Sequence, residues 1–349
     1  MQTYSGKTAA GLTCLLALTT GCSAGSGGTA DAAPPNPQRP STSSAAAAPS
    51  ATGTAAASTS YAPYVSATEA SENDSAGSPA TYNLAFVISD GSNCTPKWNG
   101  TTPISDSAVK SRISKLKQDG ATVRVSFGGA SGKEMAASCD RASELAAAYG
   151  KALDAAGSTQ ADFDIEGDEL TDSDSVDLRS EAIALLQQER GDLRVSFTLP
   201  VMPSGLDDDG VALLESANRH DVQVSTVNLM TMNYGESYTG DMGDYALTSA
   251  KAAHTQLKEL FGTSGATAWR AMALTSMLGV NDVDNETFTL DDAAQVRDFA
   301  EEKGVGWVSM WATFRDRQCA KGSSGDDDAA ANCSGVTQSS GAFGEAFAG

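Results

Sequence analysis

One short stretch constrains this chain more than any other: Ala161-Asp162-Phe163-Asp164-Ile165-Glu166-Gly167, in which acids and apolar residues alternate. Successive strand side chains point to opposite faces, so a strand here carries Asp162, Asp164 and Glu166 on one wall and Phe163 and Ile165 on the other. On an ordinary half-buried strand such acids simply face water. The flanks argue otherwise. Ser143 to Ala156 and Asp174 to Arg190 both read as helices, and a strand between two helices usually belongs to a parallel sheet covered on both faces. Buried carboxyls at close spacing repel one another, which raises the proton affinity of at least one and suits it to general acid work near neutral pH. A Ca2+ site drawing also on Asp168 and Glu169 is the competing reading. It needs ligands that converge on one ion, whereas a strand splays them along its length.

The 349 residues allow one large domain with appendages or two smaller ones, and local composition decides between them. Residues 23–60 are almost wholly Ala, Ser, Thr, Gly and Pro, a composition that cannot bury a core and reads as a disordered linker. One folded domain, 61–349, follows. A formal charge of -21 repels nucleic acid and anionic headgroups and leaves neutral or cationic substrates. The two histidines, His220 and His254, fall in or beside helical stretches, so histidine-based metal sites and triads are not expected. No cofactor is expected either.

Before the linker, residues 1–22 read as a targeting segment: Lys7 supplies a weak positive region, and Ala9 to Thr19 an apolar run too short to span a bilayer. Its end, Leu18-Thr19-Thr20-Gly21-Cys22, resembles a bacterial lipoprotein cleavage box, with Thr19 where that box has Leu. Lipidation of Cys22, giving a membrane tether on the outer side, and plain secretion are the two expected outcomes. Both place the chain outside the cytoplasm. There the remaining cysteines, Cys94, Cys139, Cys319 and Cys333, become disulfide partners rather than metal ligands.

From Tyr61 onward strand-like runs alternate with helical patterns. The strands are expected at Tyr61 to Thr68, Tyr82 to Ser89, Thr122 to Phe127, the acid stretch, Leu193 to Thr198, Ser225 to Met232, Arg270 to Ser276 and Gly306 to Trp311. Helices are expected at Ser105 to Gln118, Gly210 to Asn218, Thr248 to Phe261 and Leu290 to Lys303, besides the two already placed. Glu69 to Thr81 has no apolar stripe, so the first helix is short or missing. Eight such units predict an α/β fold, a closed (β/α)8 TIM barrel, with a doubly wound open sheet as runner-up. The loops carrying Cys94 and Cys139 follow neighbouring strands and emerge at one end, which predicts the pairs Cys94–Cys139 and Cys319–Cys333.

In a barrel the active site gathers at the C-terminal strand ends. Asp162, Asp164 and Glu166 resemble the last three acids of the family 18 glycoside hydrolase signature D-G-x-D-x-D-x-E, with Thr159 and Gln160 in place of its opening Asp-Gly. Ser126-Phe127-Gly128-Gly129 resembles the family's S-x-G-G, although a tight glycine turn explains it equally. Met232-Asn233-Tyr234 resembles its M-x-Y segment, with Gly235 where a polar residue often follows, and Trp311 resembles the tryptophan that floors the sugar pocket. Trp98 reads either as an outer stacking surface or as a loop anchor.

The resemblance implies a monomeric enzyme acting on chitin or N-acetylglucosamine oligosaccharide. Glu166 would be the general acid. Asp164 would orient the substrate acetamido group as nucleophile, Tyr234 would hold its carbonyl, and Asp162 would share a proton with Asp164. The interval from Tyr234 to Arg270 has room for a loop and one helix but no insertion domain, so an open groove and internal cleavage are expected. An endo-N-acetylglucosaminidase on protein-linked glycans shares the acid motif, and a non-catalytic chitin-binding relative is the alternative of another class. Silent relatives generally lose the terminal Glu or its Asp neighbour, and this chain keeps both.

Overall fold

The computed structural model describes residues 58–321 and 332–349. The targeting segment, Cys22 and nearly all of the linker lie outside the described residues. In chain order the elements are β1 (Ser60–Tyr61), β2 (Tyr64–Ser66), β3 (Thr81–Ser89), β4 (Pro96–Trp98), β5 (Thr102–Pro103) and α1 (Ser107–Leu116), then β6 (Thr122–Gly128), α2 (Ala142–Ala156), β7 (Gln160–Asp164), α3 (Asp168–Thr171) and α4 (Ser173–Glu189). There follow β8 (Arg194–Pro200), α5 (Asp208–Arg219), β9 (Val224–Met230), α6 (Met242–Leu260), α7 (Gly265–Arg270), β10 (Met272–Met277), β11 (Gly279–Val280), β12 (Thr287–Phe288), α8 (Leu290–Lys303) and β13 (Trp307–Trp311). A last helix spans Ala342–Ala348.

From β3 through β6, β7, β8, β9 and β10 to β13 every neighbouring pair is parallel, and spatial order follows chain order. A doubly wound sheet reverses its order at a switch point, so the runner-up topology is excluded. The expected closed ring needs a correction. Ser60 and Tyr61 pair with Trp307 and Val308 of β13, whereas Tyr64 to Ser66 pair with Asn83 to Ala85 of β3. Between these halves lies Pro63, which has no N–H to give to a ladder. A broken first strand therefore spans the two ends of the sheet, and the ladder is not closed. No helix forms between β2 and β3, where the chain runs in turns.

Helix starts follow the sequence. Asp106, Asp172, Asp207 and Asp241 each accept an amide of the first turn of α1, α4, α5 and α6, and Thr289 with Asp292 forms a capping box on α8. The Asp241 cap starts α6 six residues ahead of the expected Thr248. Both disulfides join the expected partners, Cys94–Cys139 and Cys319–Cys333.

Register places the site. Phe127, Phe163 and Phe197 lie side by side on β6, β7 and β8, with centroids 5.3 and 5.7 Å apart. Tyr149 of α2 packs edge-on against the first two, so this face of the sheet meets the helices. The opposite parity, Ser126, Asp162 and Ser196, therefore faces inward. Asp162 is 1% and Asp164 5% exposed, which rules out the reading of a solvated acidic face.

Candidate active site

The inward face is polar, and its polar groups are paired. Asp162 Oδ1 accepts the hydroxyls of Ser196 at 2.7 Å and Thr198 at 2.8 Å, while Oδ2 accepts those of Ser126 at 2.7 Å and Tyr64 at 2.9 Å. Asn228 Nδ2 donates to Thr198 at 3.0 Å and its Oδ1 accepts from Thr275 at 2.9 Å, tying β8, β9 and β10 to the same network. Four donors saturate the Asp162 carboxylate. The expected shared proton between Asp162 and Asp164 is therefore corrected: Asp162 is bonded to hydroxyls from the strands around it and acts as the anchor of the floor.

Asp164 pairs outward instead, with Glu166. Burial first, then the charges of Glu166 and Asp162, hold the Asp164 carboxyl well above the usual carboxylate range. Glu166 is pushed up to about 7, mainly by burial, with its hydrogen bond to Asp164 opposing and the charge of Asp282 adding to the rise. Two carboxyls this close cannot both ionise cheaply, so they share a proton near neutrality. Asp164 Oδ1 is buried and has no hydrogen-bond partner among the described residues. A buried acceptor in that condition costs about 1–3 kcal/mol until a donor reaches it.

These two carboxyls open into a cleft of about 210 Å³. Trp311 forms one wall, stacked at 5.4 Å on Phe86, with Tyr64 edge-on to it at 5.8 Å. Met232 and Asn233 line another side, together with Met277 and Asp282. Three residue types thus meet in one cleft: proton donors, an aromatic surface suited to a pyranose face, and polar groups at its rim. Among the described residues no group of three or more His, Cys, Asp or Glu could hold a metal ion.

Four expected binding residues, and Tyr234 with its expected catalytic role, do not line this cleft. Trp98 is fully buried where β4 pairs with β3, so it is the loop anchor and not a stacking surface. Ser126 serves Asp162 from below. Gly128 has φ 98°, and a Cβ there would sit 2.1 Å from the Asp164 carbonyl oxygen; Gly129 has φ 91°, and its Cβ would strike the Phe86 ring at 2.7 Å. Both positions require glycine, and neither lines the cleft. Tyr234 is 3% exposed, with its ring against Tyr238 and Tyr245 and its hydroxyl buried, and it is not among the residues that line the cleft, so the structure does not bring it to a sugar carbonyl. Conversely, Tyr64, Phe86, Thr198 and Asp282 belong to the cleft and were not singled out from sequence. The inward parity of the first and fifth strands could have found Tyr64 and Thr198. Asp282 lies on an irregular loop and leaves no such signal.

A parallel α/β sheet with a neutral acid beside a second carboxyl at the C-terminal end of its fourth parallel strand, over a tryptophan wall, defines a glycoside-hydrolase type of site. Among curated proteins, the chain is 34% identical over 275 residues to a probable bifunctional chitinase/lysozyme of Escherichia coli, covering 73% of this chain and 31% of that protein. It is 33% identical over 279 residues to endochitinase 11 of Metarhizium anisopliae, covering 74% of this chain and 53% of that protein. The chain thus spans a third to a half of these relatives' lengths. Among solved structures, the catalytic domain of a hyperthermophilic chitinase from Pyrococcus furiosus matches with a TM-score of 0.73 at 28% identity, covering 83% of this chain and 94% of that one. Catalytic-site mutants of its active domain 2 complexed with chito-oligosaccharides match at a TM-score of 0.72. No family model matches the chain. These likenesses support a family 18 glycoside hydrolase.

Proposed function

We propose that the chain hydrolyses internal β-1,4 bonds of chitin and its oligosaccharides with retention of configuration, using the substrate's own acetamido group as nucleophile. One observation carries this reading: beside a carboxyl that is half protonated near pH 7 lies a second, buried carboxyl with one oxygen still lacking a donor among the described residues. An acetamido N–H is a donor of the right kind for that oxygen. Glu166 gives its proton to the leaving oxygen. Asp164 accepts the acetamido N–H and steadies the positive charge of the cyclic oxazolinium that forms as the acetamido oxygen attacks. Asp162, fixed by its four hydroxyls, holds the strand end beneath them.

A conventional retaining enzyme needs two carboxyls about 5 to 5.5 Å apart that flank the bond. Asp164 and Glu166 stand two residues apart on one segment, about 6.5 to 7 Å at their backbones and on one side of the bond. Family 18 is an exception of the substrate-assisted kind, so the likeness to it supports the same mechanism. The acetamido carbonyl contact expected of Tyr234 falls to Asn233, the neighbouring cleft residue that carries a donor. The chain between Tyr234 and Arg270 holds only a loop, α6 and α7, which leaves the groove open and supports internal cleavage.

Lipidation at Cys22, or secretion after cleavage near it, places this activity outside the cell. Incorporation of labelled fatty acid by the native chain, and its loss in Cys22→Ser, supports the tether; equal labelling of both, or none, leaves plain secretion. For the substrate, release of oligomers from colloidal chitin is assayed beside glycan release from a glycoprotein. Oligomer release with intact glycoprotein is the expected result. Glycan release alone makes the chain an endo-N-acetylglucosaminidase, and binding without either makes it a non-catalytic relative.

A further inference from the structure

We infer that Glu286, which does not line the cleft, is a positioning residue that holds the substrate-facing turn 232–235 in shape. This rests on reading the cleft as the sugar site. Past the end of β9 the chain is pinned once, where Thr231 gives both its N–H and its hydroxyl to the Thr275 carbonyl at 2.9 and 3.1 Å. It then leaves the sheet through two left-handed residues, Asn233 at φ 55° and Gly235 at φ 112°. Successive amides in such a turn converge on one point and make a concavity for an anion. Glu286 occupies it. Its Oε1 accepts the Gly235 N–H at 2.8 Å; burial pushes the carboxyl up, and the amides of Gly235, Asn233 and Tyr234 oppose that rise.

Glu286 is 1% exposed and is itself held in place. Its carbonyl accepts the Asn281 N–H at 3.1 Å, and Asn281 Nδ2 bonds the Met277 and Gly279 carbonyls at 2.9 Å each. Arg315 donates to the carbonyls of Leu278 at 3.2 Å and Val280 at 2.7 Å. The loop that carries Asp282 into the cleft is thus tied to the turn that carries Asn233 into it through the Glu286 carboxylate. A charged acceptor on backbone amides is about twice as strong as a neutral one, so Gln does not replace it.

Glu286→Gln is tested in two ways. First, hydrogen exchange in a peptide spanning 231–236 reports the turn without reference to activity. Rates there rise at least about tenfold while those of β6 to β8 stay unchanged. Second, kcat/KM on a chitin oligosaccharide falls roughly tenfold to a hundredfold, with the loss in KM rather than kcat. Asn233→Gly keeps the left-handed backbone and removes the side chain. Added to Asn233→Gly, Glu286→Gln costs no further loss beyond about twofold, because both act through one side chain. Should Glu286→Gln not fold, Gly235→Ala strains the same bond from the other side, because φ 112° disfavours a side chain there although a Cβ meets nothing within 4 Å. The same exchange and the same non-additivity are expected of it. Unchanged exchange at 231–236, or additive losses in the cycle, overturns the role of Glu286. Lack of both hydrolysis and binding of chitin oligosaccharide by the native chain would instead overturn the sugar-site reading, and exchange would still decide the role of Glu286.

Discussion

In the proposed mechanism Glu166 gives a proton and Asp164 accepts one in a hydrogen bond, and that division follows from their surroundings. Glu166→Gln keeps the shape but cannot donate, so turnover falls by a factor on the order of 100 to 10,000 while sugar binding survives. Near wild-type turnover would remove Glu166 from the role. The pH profile of kcat should lose its alkaline limb through about 7, where the pair gives up the proton it needs. The Asp282 charge contributes to that value, so Asp282→Asn should move the limb to lower pH; an unmoved limb would place Asp282 too far away to matter. Stability carries the same sign. The folded protein binds this proton above the ordinary value of 4.5, so its stabilising effect is full below 4.5 and lost as pH rises through about 7. Glu166→Gln should therefore be more stable than the native chain above pH 7, by on the order of 2–3 kcal/mol, and show no such gain at pH 4, as urea titrations at both pH values will read. The three acids were legible because strand parity alone aligns them. Tyr234 was misplaced because that parity stops at Met230, and the left-handed Asn233 turns the next side chain to the other side.

Several elements were readable from capping acids and apolar spacing, and those that were not owe their form to contacts distant in sequence. The C-terminal helix is one. Phe343 and Phe347 are both fully buried, and Phe347 stacks on Tyr61 at 6.2 Å and Phe288 at 6.0 Å. Arg297 donates to the Phe347 carbonyl at 3.1 Å, and Asp316 accepts the Phe343 and Gly344 amides at 3.0 and 2.8 Å. No periodicity within seven residues could announce that. Phe347→Ala should cost about 3–5 kcal/mol in a denaturant titration, and a loss under about 1 kcal/mol would show the helix to be peripheral. The other is the hairpin of β4 and β5, tied to the loop before α2 by Cys94–Cys139 across 45 residues. Opening that link by Cys94→Ser with Cys139→Ser removes about 4 kcal/mol on the chain-entropy model, to be read as a lowered urea midpoint. An unchanged midpoint would mean that the hairpin holds itself.

At the scale of the molecule, the strand-like runs sufficed to bring Asp164, Glu166, Met232 and Trp311 to one side, because a parallel sheet delivers its C-terminal ends together whatever the loops do. The closing step was not legible. Tyr61 to Thr68 reads as one strand, and only its surroundings show that Pro63 divides it between β13 and β3. That division still leaves Tyr64 under Asp162, at 2.9 Å, so the acid wall is built even though the ladder is broken. A net charge of -21 leaves neutral or cationic substrates, and under the proposed function an N-acetylated neutral polymer would supply both the donor that Asp164 Oδ1 lacks among the described residues and the nucleophile that no second carboxylate provides. The central claim is that this acetamido group attacks in place of an enzyme carboxylate. Proton NMR of chitin oligosaccharide hydrolysis, followed from the first seconds, tests it most directly. Retention through the oxazolinium predicts that the new reducing end appears first as the β anomer and only later mutarotates; a reducing end that appears first as the α anomer would contradict it.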